Sequence, residues 1–302
     1  MKKVLLLLVF IFNSLCISQT AEEYFSIGNE KFKEEKYNEA IQYYNKAIEL
    51  DPNYAEAFYY RGNSKGILED YTGAIKDYNK AIELNPNYAN AYYNRGIVKY
   101  MLGDYYGATE DYNKAIELDP NNAGAYFNRG MAKGELKDYN DAIKDYNKAI
   151  ELDPNYEIAY YNRGYTKNEL GDRYGAIMDY SKTIELNPNN AGAYLNRGNA
   201  KAELKDYDGA IRDYNKAIEL NPNDAGAYNN RGNAKGILGE YNGAIKDYNK
   251  AIELNPNNAE AYLNRGITKI MLGDKKGGCL DLSKAGELGK EKAYEVIRIY
   301  CK

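Results

Sequence analysis

The run Asp-Tyr-Asn-Lys-Ala-Ile-Glu-Leu begins at Asp77 and returns at Asp111, Asp145, Asp213 and Asp247, with the variant Asp-Tyr-Ser-Lys-Thr-Ile-Glu-Leu at Asp179. Successive starts lie 34 residues apart, or 68 where the variant intervenes. A chain with one fixed period of this length is not built around a single globular core. Each period is a small unit that buries its apolar face only by stacking on its neighbours. Counted from Ala21, the period marks eight contiguous repeats: 21–54, 55–88, 89–122, 123–156, 157–190, 191–224, 225–258 and 259–292. No linker separates them, and a tail, residues 293–302, follows.

Each repeat reads as two helices. The first carries the "AYYNRGIVKYML" type of sequence and is broken at "GDY"; the second runs through "GAIKDYNKAIEL" and stops at "NPN" or "DPN". Pro52, Pro86, Pro120, Pro154, Pro188, Pro222 and Pro256 all stand at this last place. Proline cannot continue a helix and restricts the residue before it, so the turn is enforced at every joint between repeats. Repeat eight has Lys290 there, as expected where no further repeat must be set at that angle.

These residues resemble the tetratricopeptide repeat, over residues 21–292. The family pattern asks for a large aromatic, Leu-Gly, Tyr, Ala, a second aromatic and Pro at set spacing. Repeat three supplies Tyr92, Gly96, Ala108, Tyr112 and Pro120, and departs from the pattern with Arg95 in the leucine place and Lys99 in the tyrosine place. The resemblance implies an all-α fold, a right-handed superhelical solenoid of antiparallel helix pairs whose first helices line a concave groove. The tail resembles the closing segment of exported bacterial repeat proteins, which implies a capping helix over residues 293–302.

Glycine holds the eighth place of every repeat, from Gly28 and Gly62 to Gly266, and alanine the twentieth, from Ala40 to Ala244. The two places are expected opposite one another, where small residues let the helix backbones approach. Beside each glycine but Gly28 stands an arginine. Arg61, Arg95, Arg129, Arg163, Arg197, Arg231 and Arg265 have Asp77, Asp111, Asp145, Asp179, Asp213, Asp247 and Asp281 sixteen residues on. Repeat one has Ile27 and Tyr43 at these places, so both charges are present or neither. The pattern predicts a structural, bidentate ion pair across the hairpin. The lysine at the eleventh place (Lys31, Lys65, Lys99, Lys133, Lys167, Lys201, Lys235, Lys269) fails the same test. Repeat one keeps Lys31 while the candidate partner place, Asp70 and Asp104 elsewhere, holds Lys36. Its stem is expected to cover apolar surface with the head in water.

The family groove would expose the second, fifth, sixth, ninth, twelfth and thirteenth places. In repeats two to five these hold Tyr59, Asn63, Tyr93, Asn94, Ile97, Tyr100, Met101, Phe127, Asn128, Met131, Tyr161, Asn162 and Tyr165, a set of aromatic anchors and amides suited to an extended peptide. Repeats six and seven offer the flatter, more polar Leu195, Asn196, Asn199, Ala202, Asn229, Asn230, Asn233 and Gly236. The family's clamp for a chaperone's C-terminal carboxylate also needs cations. Tyr59, Leu195, Asn229, Gly124, Gly226 and Glu260 stand in those places instead, so that partner is not expected.

Composition narrows the chemistry. A formal charge of −4 gives no basic surface for nucleic acid. Histidine is absent, which removes the commonest general base and transition-metal ligand, and three cysteines do not make a zinc site of the usual spacing. No cofactor, metal or catalytic residue is expected, and the chain reads as a non-catalytic scaffold binding a protein or peptide. A structural, lipid-anchored envelope component and a carbohydrate-binding module are the alternatives.

Residues 1–18 have Lys2 and Lys3, an apolar run from Val4 to Phe12, then small residues, the layout of a secretory signal peptide. Cleavage after Ser18 removes two lysines and no acid, taking the charge from −4 to −6. The mature chain would then be periplasmic or secreted and carry no transmembrane segment. Lipidation of Cys16, giving an outer-membrane lipoprotein, ranks second because Leu15 fits that processing poorly. Cys279 and Cys301 then remain, about equally far from a turn near Gly289, and antiparallel packing of the tail is expected to join them in a disulfide.

The ion-pair reading is testable in repeat three. Arg95→Leu alone should destabilise by on the order of 3 kcal/mol, and adding Asp111→Tyr should recover part of the loss in chemical denaturation. A double variant no more stable than the single one counts against the pairing.

Overall fold

A computed structural model describes residues 19–302; the signal-peptide reading and Cys16 lie outside the described residues. All secondary structure among these residues is helical. The first helices of the repeats are α1 (Ala21–Lys33), α3 (Ala55–Ile67), α5 (Ala89–Met101), α7 (Ala123–Glu135), α9 (Glu157–Glu169), α11 (Ala191–Glu203), α13 (Ala225–Ile237) and α15 (Ala259–Met271). The second helices are α2 (Tyr37–Leu50), α4 (Tyr71–Leu84), α6 (Tyr105–Leu118), α8 (Tyr139–Leu152), α10 (Arg173–Leu186), α12 (Tyr207–Leu220), α14 (Tyr241–Leu254) and α16 (Lys275–Glu287). A last helix, α17 (Lys292–Tyr300), follows. The chain divides into two compact units, one ending at Leu136 and one beginning at Lys137, and within each consecutive helices pack as antiparallel pairs.

The helix ends follow from local chemistry. One residue between the two helices of each repeat has a left-handed backbone: Gly103, Gly171, Gly239 and Gly273, and also Glu35, Glu69, Lys137 and Lys205. Only the glycines take this conformation without a side-chain clash. The aspartate that follows then caps the second helix. Asp70, Asp104, Asp172, Asp206 and Asp274 accept from the backbone N–H of Gly73, Gly107, Gly175, Gly209 and Gly277. At the other end the residue before proline is forced extended, as at Asn85 (φ −134°, ψ 90°), and the helix stops.

Packing between paired helices centres on a tyrosine. Tyr44, Tyr78, Tyr112, Tyr180, Tyr214 and Tyr248 are buried, each against the glycine of its own repeat. The expected glycine–alanine opposition is corrected in part. A Cβ on Gly96 would lie 2.8 Å from the ring of Tyr112, so the glycine makes room for an aromatic face. Alanine contributes its backbone, with the Ala244 carbonyl 3.2 Å from the Cβ place of Gly232.

The arginines sit in a larger network than a pair. Arg61 donates through Nε and Nη2 to the two carboxylate oxygens of Asp77, at 2.9 and 2.6 Å. Its Nη1 donates to Asn45 Oδ1 of the preceding repeat at 2.6 Å. The same three bonds join Arg95 to Asp111 and Asn79, Arg163 to Asp179 and Asn147, Arg231 to Asp247 and Asn215, and Arg265 to Asp281 and Asn249. Arg197 pairs with Asp213 and uses Ser181 in the variant repeat, and Arg129 reaches Asn113. Each arginine also lies over an aromatic ring three residues earlier, as Arg95 over Tyr92 at 5.4 Å.

The lysine expectation is overturned. Lys65, Lys99, Lys167, Lys201, Lys235 and Lys269 each form an ion pair with the aspartate that already holds the arginine, at 2.7–2.9 Å. A carboxylate has about four lone-pair sites, so one aspartate satisfies both cations. Repeat one, with Tyr43 in the aspartate place, turns Lys31 to Glu34 instead, at 3.0 Å. Loss of Asp111 therefore also strands Lys99, which is why the rescue expected above is only partial.

Repeat eight ends differently. Cys279 of α16 and Cys301, just after α17, are joined by a disulfide, with Cα atoms 5.9 Å apart. Ala293, Val296 and Ile297 of α17 pack on Leu263, Leu282 and Ala285.

Gly96→Ala sets helix propensity against packing. Alanine favours the helix by about 1 kcal/mol, but displacing the buried Tyr112 ring costs about 1–3 kcal/mol. Packing should win, and thermal denaturation should show a lower midpoint.

Candidate functional site

The first helices carry the places read as a groove, and a hydrogen-bonded ladder runs between them. Asn94 Nδ2 donates to Tyr59 OH (3.0 Å), Asn128 Nδ2 to Tyr93 OH (3.0 Å) and Asn196 Nδ2 to Tyr161 OH (2.9 Å), each from one repeat to the one before. Asn63 Oδ1 accepts from both Tyr78 OH (2.9 Å) and Asn94 Nδ2 (2.8 Å). Asn199 Oδ1 accepts likewise from Tyr214 OH and Asn230 Nδ2. Burial pushes the Tyr59, Tyr93 and Tyr161 phenols up from their ordinary value, partly offset by the amide bonds they accept, so these rings stay neutral hydrogen-bonding groups.

The ladder corrects the reading of these residues as free anchors. Tyr59, Tyr93, Tyr161, Asn63, Asn94 and Asn128 are half-buried and bonded to their neighbours, and Phe127 is buried. The fifth and sixth places lean on the adjoining repeat, where a long side chain finds a partner before it finds solvent. Asn162 donates to the Ile158 carbonyl of its own helix, and Tyr100 packs at a tilt against the ring of Tyr105. Ile97 and Met131 are half-buried, whereas Met101 (62% exposed) and Tyr165 (52%) stand open.

Between these ladders lie three cavities that the sequence reading did not find. One of about 400 Å³ is lined by Phe32, Asn63, Gly66, Ile67, Tyr71, Tyr78, Asn94, Ile97, Val98 and Met101. The equivalent places four repeats on, Asn168, Asn199, Ala202, Glu203, Tyr207, Tyr214, Asn230, Asn233, Ala234 and Ile237, line a second of about 350 Å³. The next joint holds a third of about 220 Å³, lined among others by Asn233, Gly236, Ile237, Asn264, Ile267 and Met271.

All three share a small residue at the twelfth place of the repeat. It is Gly66, Ala202 or Gly236 where a cavity opens. Repeat three has Tyr100 at that place, and its ring packs against Ala108, Tyr112 and Ala132. This signal was legible in the sequence as a small residue beside a half-buried tyrosine, but reading it requires knowing what lies beneath.

Among the described residues no group of His, Cys, Asp and Glu could hold a metal ion, and no helix is long and apolar enough to cross a membrane. Asn229 marks a flaw in the ladder. It replaces the ladder tyrosine; its Nδ2 donates to Asn230 Oδ1 at 3.3 Å, and its own Oδ1 is buried without a partner.

Sequence models described as tetratricopeptide repeat match residues 89–122, 123–156, 145–176 and 180–212, and one described as TPR repeat matches 28–65, 67–103, 198–236 and 237–273. No curated protein sequence matches the chain. Among solved structures it is similar to YrrB, described as a TPR protein with an unusual peptide-binding site. That match has 26% identity and a TM-score of 0.56, covering 61% of this chain and 95% of that one. It is similar to MamA at 30% identity and a TM-score of 0.52, covering 55% and 96%. The C-terminal part of a TPR repeat-containing protein from Cytophaga hutchinsonii shares the fold at 22% identity and a TM-score of 0.68, covering 80% and 98%.

Asn229→Tyr should repair the ladder by giving Asn264 a hydroxyl to reach. A gain of about 1 kcal/mol is expected in chemical denaturation; an unchanged or lower midpoint counts against this account.

Proposed function

The chain belongs to the tetratricopeptide-repeat family, and we propose that it is a non-catalytic scaffold that binds a protein segment along the face formed by its first helices. The observation that carries this reading is the apolar cavity of the first unit. Phe32, Ile67, Ile97 and Met101 surround it, and Ile67 and Met101 are 49% and 62% exposed at its mouth. A rigid wall holds it open, since Asn63 and Asn94 are committed to each other and to Tyr78 and Tyr59. Fixed polar groups around a preformed apolar recess let a ligand side chain enter with little ordering cost to the protein. YrrB, similar over more than half of this chain, is described with a peptide-binding site, which favours a peptide over a small metabolite.

We further infer that the chain works in an oxidising compartment outside the cytoplasm. The lysine-led apolar segment at residues 1–18 and the Cys279–Cys301 bond support this.

A photo-reactive phenylalanine analogue at Met101 should crosslink to one extracted protein, whereas the same analogue at Met178, 72% exposed on second helix α10, should give no such adduct. An adduct at Met178 alone would move the binding face to the second helices and end this reading.

A further inference from the structure

The cavity between repeats six and seven has the frame of the apolar one but a different chemistry. At three equivalent places Phe32, Ile67 and Ile97 give way to Asn168, Glu203 and Asn233. Hydrogen bonds within it run toward Asn199: Asn229 donates to Asn230, Asn230 donates to Asn199 Oδ1 at 2.9 Å, and Tyr214 OH donates to the same oxygen at 3.0 Å. Two acceptors end up with no hydrogen. Oδ1 of Asn168, a residue that lines the cavity, and Oδ1 of Asn229 are both buried without a partner. A buried carbonyl oxygen left so costs about 1–3 kcal/mol, and a turn of the Asn168 amide toward a ligand N–H in the cavity removes that cost.

Charge selects among N–H donors. Arg173 stands where the other second helices begin with tyrosine or lysine; its Nε pairs with Glu203 and its Nη1 donates to the Asn168 carbonyl. The Asn168 atom bonded by Arg173 is the backbone oxygen, so Oδ1 stays unpartnered. An incoming ammonium or guanidinium would meet this guanidinium beside a carboxylate it already neutralises. A neutral donor meets no such opposition.

We infer that this cavity receives a primary carboxamide, the side chain of an asparagine or glutamine in the bound segment; the inference rests on the peptide-binding reading above. The carboxamide's two N–H hydrogens match Asn168 Oδ1 and a free lone pair of Glu203, and its carbonyl matches the amide hydrogens of Asn199 or Asn233. The volume of about 350 Å³ also leaves room for the backbone that carries it.

The test is selection of random displayed peptides on the purified full-length chain, repeated with Asn233→Ile, which installs the residue already standing at Ile97. Circular dichroism verifies that the variant is folded. The expected result is one peptide position enriched in asparagine or glutamine, falling about tenfold in the variant as aliphatic residues replace them. Enrichment in lysine or arginine, or a preference unchanged by Asn233→Ile, overturns the inference. If no peptide is selected, the peptide reading fails, and the site is judged alone by titrating acetamide, ethylammonium and glucose separately into labelled protein. Shifts of the Asn199 and Asn233 side-chain amide signals with acetamide, lost in the Asn233→Ile variant, sustain it. Shifts only with ethylammonium or glucose, or none, overturn it.

Discussion

Asp77, Asp111, Asp179, Asp213, Asp247 and Asp281, buried on the second helices, each bind two cations at once, and most of the architecture depends on that arrangement. In repeat two, Arg61 and Lys65 of α3 converge on Asp77 of α4, locking the two helices of the hairpin. An Nη1 hydrogen of the arginine reaches back to Asn45, locking that hairpin to the one before. One residue thereby fixes both the angle within a repeat and the stacking between repeats. The node carries a net positive charge in a half-buried setting, and two features ease it: the arginine lies over an aromatic ring, and the asparagine oxygen accepts its outermost hydrogen.

Repeat one lacks the arginine and the aspartate of the node. It carries Ile27 and Tyr43 at the two places, with Lys46 over the rings of Tyr24 and Tyr43. Repeat eight has Ser283 in the asparagine place, and Ser283 bonds the Cys279 carbonyl of its own helix. A disulfide and the apolar face of α17 close that end instead, with Gly286 leaving space for the ring of Tyr294. Open arrays need such ends, because an uncovered last repeat would present its stacking face to solvent.

With stacking fixed by the nodes and the tyrosine–asparagine ladder, the residues left to vary set what the first-helix face offers. Gly66 and Ala202 at the twelfth place each line a recess, whereas Tyr100 packs into the core there; the ninth and thirteenth places make the recess apolar, as with Ile67 and Ile97, or polar, as with Glu203 and Asn233.

Periodicity, proline placement and the covariation of Arg61 with Asp77 were legible in the sequence, because each repeats in phase and each has a local or pairwise cause. The lysine partner was not, because Asp77 had already been assigned to the arginine and nothing in a sequence shows that one carboxylate serves two cations. Tyr59, Tyr93 and Tyr161 looked like ligand anchors for the same kind of reason: an exposed-seeming place on one helix becomes half-buried only when the next repeat brings Asn94, Asn128 or Asn196 to its hydroxyl. The helix pairs, their turns and the repeat count are properties of short stretches, and the sequence by itself determined them. Which side chains are consumed in joining repeats, and where the face between them stays open, depend on distances between residues about one period apart, and only the tertiary structure decided them.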